Sequence, residues 1–203
     1  LLLSLENNSN VSLKNTNKIN LKYTAAFGYE NIEDLSKLID IAIDGLIQFD
    51  KVFGYRSSHF MAPTANVHSN VITELASHGI KAFDRGIIFK EYQGNGKFIS
   101  KFNYTGKKNK IGQIAIVRNV VFEPFSEDKY HVQKSLQQIE AAFFWKRPAI
   151  ISSHRVNYCG HIDEKNRTIG LNQLKILLTQ IVKRWPDVEF ISSSELINLM
   201  SNE

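Results

Sequence analysis

Short apolar runs alternate with amphipathic helical segments along this chain, and that alternation restricts it to α/β architecture with parallel strands. Ile32, Leu35, Leu38, Ile39, Ala42, Ile43, Leu46 and Ile47 recur at helical spacing and predict a helix that stops near Gly54. Phe60-Met-Ala-Pro63 reads as a short strand closed by a proline turn. Ser69 or Asn66 is placed to cap a helix carrying Val71, Ile72, Leu75 and Ala76, with His78 as a charge partner at its end and Gly79 where a left-handed glycine belongs. Ile80–Phe83 and Gln113–Val117 are the next strands, and the polar stretch 85–112 between them reads as a long surface excursion. A helix from about His131 to Lys146 presents Val132, Leu136, Ile139 and Phe143. The run Pro148-Ala-Ile-Ile follows, then a long helix opening at Asp163–Asn166, with Leu171, Leu174, Leu178 and Ile181 inward and Trp185-Pro186 at its end. Val188–Ile191 predicts a last strand, and Ser192 and Glu195 have capping-box spacing with Ile191 and Leu196 as a staple.

With 203 residues, the chain is long enough for one domain with a substantial core. Residues 1–22 read as a poorly ordered arm or loop, and 23–203 as the α/β domain. The net charge of +5 is spread along the chain except at Lys107-Lys108-Asn109-Lys110, which reads as a solvated loop. Without a helix-turn-helix, zinc-finger or RNP pattern, that charge does not point to nucleic acid. A single cysteine, Cys159, rules out an internal disulfide and a cysteine-based zinc site, and no partner motif suggests thiol catalysis. No apolar run approaches 18 residues, so no membrane span is expected. Leu1-Leu-Leu-Ser-Leu5 is too short for a signal peptide, and the chain does not begin with Met. The chain reads as a piece of a longer or processed protein, cytoplasmic or associated with the cell envelope.

Chemistry gathers where the apolar runs end. Pro148-Ala-Ile-Ile-Ser-Ser-His154-Arg-Val-Asn157-Tyr158 turns abruptly from a buried strand into polar residues, and α/β folds collect functional side chains at carboxyl ends of strands. Arg118-Asn119 ends the run before it in the same way. If the two strands are neighbours, Arg118, Asn119, His154, Arg155 and Asn157 converge on one rim. There His154 would act as acid or base, and arginine would stabilise developing negative charge. The same residues could instead form a hydrogen-bond network that only fixes loops. Metal spacing is poor: His154 and His161 lie seven apart with Asp163 behind, and no H-x-x-x-H or H-E-x-x-H occurs. Ser152 and Ser153 sit in no nucleophile elbow. Asn103-Tyr-Thr105 and Asn166-Arg-Thr168 match glycosylation sequons.

Taken in order, Phe60-Met-Ala-Pro63, the helix ending in Gly79-Ile80, Val117-Arg-Asn119 with Phe122-Glu-Pro124, Pro148-Ala-Ile-Ile-Ser-Ser-His154-Arg-Val-Asn, and Arg184-Trp-Pro-Asp-Val-Glu-Phe190 resemble the carboxyl-terminal part of the polysaccharide deacetylase superfamily, in an uncharacterised bacterial branch, over roughly residues 25–200. The resemblance implies a partial or distorted (β/α) barrel with parallel strands that lacks its first strands. It also implies metal-dependent removal of acyl groups from a sugar polymer. His154 matches the histidine that assists the leaving group, and Pro63 the proline of the substrate-groove motif. Met61 stands where that motif has an arginine, and Asp84 lies only near a further motif aspartate. The catalytic Asp pair and the two metal histidines of the family have no counterpart, so zinc would need ligands from a missing upstream segment and none is expected on this chain alone.

The leading expectation is therefore a carbohydrate-active hydrolase of deacetylase type. His154 and Arg118 would be catalytic, and Asn119, Arg155, Asn157 and Pro63 would bind substrate. The alternatives are a non-catalytic carbohydrate-binding or structural α/β domain, and a metal-free glycoside hydrolase using Glu123 and Asp163 as opposed carboxylates. About five strands, near 60, 80, 115, 150 and 189, are too few for a closed barrel. A partner segment or self-association through an open edge is expected; the alternative is an open sheet whose edges the helix at 31–53 and the arm at 4–20 cover.

Overall fold

The computed structural model describes residues 26–29, 31–124, 130–161 and 163–201, so the expected arm at 1–22 lies outside the described residues. The chain divides into two units, Leu1–Ile116 with Ser193–Glu203, and Val117–Ser192.

In the first unit, helix α1 (Leu35–Phe53) follows a 3₁₀ turn at Ile32–Asp34 and ends at Gly54, whose φ of 73° and N–H to the Asp50 carbonyl form a left-handed cap. Strand β1 (His59–Phe60) leads into helix α2 (Ser69–Glu74), which tightens into a 3₁₀ turn at Leu75–His78 and stops at Gly79 with φ 93°. Its cap is neither Ser69 nor Asn66. The ring Nδ1 of His68 accepts the Asn70 N–H at 3.1 Å, while the Ser69 hydroxyl is drawn away to Glu91. Strand β2 (Ala82–Asp84) comes next. The stretch expected as a surface excursion holds an antiparallel hairpin, β3 (Ile88–Tyr92) with β4 (Phe98–Phe102), before strand β5 (Ile114–Ile116). The sheet order is β1-β2-β5, all parallel. α1 and α2 close one core over it, with Leu35, Leu38, Ala42, Val71, Ile72, Leu75 and Ile80 buried together. Each such valine, leucine or isoleucine side chain contributes about 1.5–3 kcal/mol by leaving water.

In the second unit, strand β6 (Val120–Val121) is followed by helix α3 (His131–Phe144), and strand β7 (Ile151–Ser152) pairs with β6 in parallel. A 3₁₀ turn at Arg155–Tyr158 precedes helix α4 (Glu164–Arg184), which Asp163 caps by accepting the Lys165 N–H at 2.9 Å. Val120, Phe122, Leu136, Ile139, Leu177 and Ile181 form the core, so α3 and α4 cover the β6–β7 pair. The inward face of α4 runs through Leu174, Leu177 and Ile181. Leu171 and Leu178, expected inward, sit on the neighbouring stripe and stay partly in solvent. Val188–Ile191 does not form the expected strand: Val188 packs on the core, but Phe190 is 60 % exposed and no strand among the described residues pairs with the segment. Helix α5 (Ser193–Ser201) follows it in sequence, as the capping-box spacing predicted.

The architecture is mixed α/β with parallel strands, and the described residues form no closed barrel. No helix among them is long and apolar enough to cross a membrane.

Candidate functional site

Parallel pairing of β6 with β7 sets Val121 opposite Ser152, and the ladder continues with the Phe122 N–H on the Ser152 carbonyl at 2.9 Å. Two residues beyond each partner the chain reaches Glu123 and His154, so the register itself brings them together at the carboxyl ends of the strands. His154 Nδ1 lies 2.7 Å from Glu123 Oε1. The other carboxylate oxygen, Oε2, accepts Asn157 Nδ2 at 2.6 Å. Asn157 is 1 % exposed, and its amide also donates to the His154 carbonyl at 2.7 Å. Burial raises the Glu123 carboxyl, but the hydrogen bonds from Asn157 and His154 and the charge of His154 outweigh it and hold the group below the usual carboxylate range. The His154 side chain is 74 % exposed. Glu123 holds one ring nitrogen and leaves Nε2 directed away from the protein's carboxylate, the arrangement in which a histidine is oriented for proton transfer.

The turn that carries Asn157 is fixed from below by α4. A Cβ on Gly170 would stand 1.9 Å from the Asn157 carbonyl oxygen, so only glycine lets the helix approach. Asn166 Nδ2 donates to the Val156 and Cys159 carbonyls at 2.7 and 2.8 Å, so this sequon asparagine is committed to holding the turn. Asn103, the other sequon asparagine, is buried and donates to the Gly86 and Lys101 carbonyls.

The other expected site residues do not all meet this pair. Asn119 precedes β6: its side chain donates to the Pro148 carbonyl at 3.0 Å and accepts the Ile150 N–H at 2.7 Å, pinning the amino-terminal entry of β7, at the far end of the strand from His154. Arg118 also precedes β6, and its guanidinium reaches Ser152 Oγ at 3.4 Å. Arg155 is exposed on the 3₁₀ turn, where its carbonyl takes the Cys159 thiol at 3.3 Å. Pro63 belongs to the other unit, at the head of a 3₁₀ turn whose Thr64 and Ala65 have φ of 59° and 53°. Asp163, the second carboxylate of the expected glycosidase pair, caps helix α4 through Oδ1, which accepts the Lys165 N–H at 2.9 Å. The partner that matters for His154 is Glu123. Its signal in the sequence was a carboxylate just after a second β-branched run.

Among the described residues no group of three or more His, Cys, Asp and Glu side chains could hold a metal ion. By themselves those residues do not supply the three ligands that the zinc implied by the resemblance would need.

The first unit holds a second polar constellation. Glu91, 3 % exposed, accepts Lys101 Nζ at 2.6 Å and the Ser69 N–H at 2.8 Å, with His68 Nε2 at 3.7 Å. Burial raises Glu91, yet these donors and the His68 charge bring it below its ordinary value, while burial lowers His68. Arg85 is packed against the Phe89 ring at 4.1 Å and donates to the Val67 carbonyl at 2.6 Å; burial pulls it down to about 10. These residues border a cavity of about 560 Å³. On the adjacent strands, His59 Nε2 lies 2.8 Å from Asp84 Oδ1. Comparison of the chain with family models, curated proteins and solved structures gives no match.

Proposed function

We propose that the chain is part of a carbohydrate-active hydrolase of the deacetylase type, with a partial (β/α) barrel, and that His154 is its general acid–base. The observation that carries this reading is the Glu123–His154 contact of 2.7 Å at the carboxyl ends of two parallel strands. In acyl removal, water adds to the acyl carbon and the bond from that carbon to the sugar oxygen or nitrogen breaks. His154 Nε2 would take a proton from the attacking water and deliver it to the departing sugar atom. Glu123 would stabilise the imidazolium before that transfer, and buried Asn157 would keep the carboxylate from rotating. Arg118, Asn119, Arg155 and Pro63 carry no step in this reading.

The test is acetate release from N-acetylated and O-acetylated oligosaccharides by the protein as its gene encodes it, in the presence of zinc. His154→Gln should lower kcat about 10²–10⁴-fold, the range for a positioned acid–base group. Undiminished turnover in that variant sinks the assignment. The second reading is a non-catalytic carbohydrate-binding domain, favoured by the Asn157 amide, whose bonds to Glu123 and the His154 carbonyl fix the turn. Saturable oligosaccharide binding with no acetate release would select it.

A further inference from the structure

Four lysines, Lys101, Lys107, Lys108 and Lys110, line the cavity of the first unit together with one carboxylate, Glu91. Glu91 is already paired with Lys101. Lys107 Nζ donates at 2.5 Å to the Phe102 carbonyl, a neutral acceptor. Lys108 and Lys110 have no carboxylate partner among the described residues. Cationic charge therefore exceeds anionic charge at one concave surface.

The loop bearing these lysines is built rather than slack. Asn109 Oδ1 accepts the N–H groups of Ile111 at 3.2 Å and Gln113 at 2.9 Å, and Lys108 bridges Ile114 in antiparallel fashion. Gln113 is itself buried and donates to the Ile72 and Ile80 carbonyls, both at 2.9 Å. Like charges on a mobile loop would drift apart; here the backbone holds them at the same wall. That wall also contains His68 Nε2, which is buried without a hydrogen-bond partner and lies 3.7 Å from Glu91 Oε1. Ile72, Phe83 and Ala115 add apolar surface to a lining otherwise made of polar side chains such as Ser69, Asn70 and Thr73. A cavity of about 560 Å³ falls within the usual size of small-molecule sites, roughly 300–1,000 Å³.

We propose that this cavity binds a monosaccharide-sized ligand bearing a carboxylate or phosphate, its anion neutralised by Lys108 and Lys110, its hydroxyls met by the polar lining and its carbon skeleton by Ile72 and Phe83. The site is independent of the His154 assignment.

The experiment is calorimetric titration of the full 203-residue chain with glucuronate, glucose 6-phosphate and glucose. At least one anionic sugar should bind roughly tenfold or more tightly than glucose, with affinity falling as salt rises. Which anion binds identifies carboxylate or phosphate as the group recognised. Lys108→Gln with Lys110→Gln should cost roughly tenfold in that affinity, as expected for the loss of a charge-assisted hydrogen bond. The single variant Lys110→Gln should show the same direction should the double variant not fold. His154→Gln should bind as the parent does, so loss of turnover there leaves this site standing. Equal affinity for glucose and both anions, or lysine variants that fold and bind unchanged, overturns the proposal.

Discussion

His154 and Glu123 are 31 residues apart in sequence and 2.7 Å apart in space, joined because Val121 pairs with Ser152 and each chain then runs two residues further. A one-residue slip in that ladder would turn one of the two side chains to the opposite face. The contact is therefore a consequence of strand register, and what supports the register supports the site.

Gly170 is the first place to test that support. Gly170→Ala ordinarily gains about 1 kcal/mol inside a helix. Here the methyl group would overlap the Asn157 carbonyl, at 1.9 Å. The expected result is net destabilisation of about 1–3 kcal/mol, as for overpacking. Urea melts should show a lowered midpoint at unchanged slope, and a variant as stable as the parent would show that α4 can move away without cost.

Asn157→Ala removes the amide that holds Glu123 Oε2 and the His154 carbonyl. A loss of about 1.5–3 kcal/mol is expected, because one of the bonds is to a charged group. The His154 imidazole should also lose a fixed partner orientation, which nuclear magnetic resonance of the ring protons would register as narrowed dispersion or exchange broadening. Asn157→Asp should not rescue it, since two carboxylates would then face each other.

Acid sensitivity should come from Glu91 more than from any exposed carboxylate. Its folded-state value is depressed, so its contribution to stability is complete above the unfolded value of about 4.3 and is lost as pH falls through the lower folded value. Glu91→Gln should lower the melting temperature near pH 7 and flatten the acid arm of the stability–pH curve. Parallel acid arms in parent and variant would remove Glu91 from this role.

Zinc supplies a fourth check. The described residues offer no cluster of three ligands, and tight zinc sites need three or four. Titrating the isolated chain with zinc should give no stoichiometric submicromolar binding. If it does bind, His154, His161 and Asp163 are the residues to substitute first.

The sequence alone determined the helices and their ends. Apolar residues at helical spacing placed α1, and Gly54 and Gly79 marked the two left-handed stops, because these are local properties of the chain. It also singled out His154 and Asn157, since a β-branched run ending in polar residues is legible without a partner. Tertiary structure decided the rest. Periodicity could not choose the inward face of α4 between neighbouring stripes, and it read Val188–Ile191 as a strand although no ladder receives it. It set Arg118 and Asn119 beside His154, because both groups follow apolar runs. The run after them, β6, is the one that pairs with β7, so Asn119 clamps the entry of that pair and Glu123 takes the place beside His154. The Glu91 cluster was equally hidden, since it joins residues from α2, β3 and β4. Which strand lies beside which depends on long-range pairing and on the burial of whole faces, and no local pattern of residues encodes that choice.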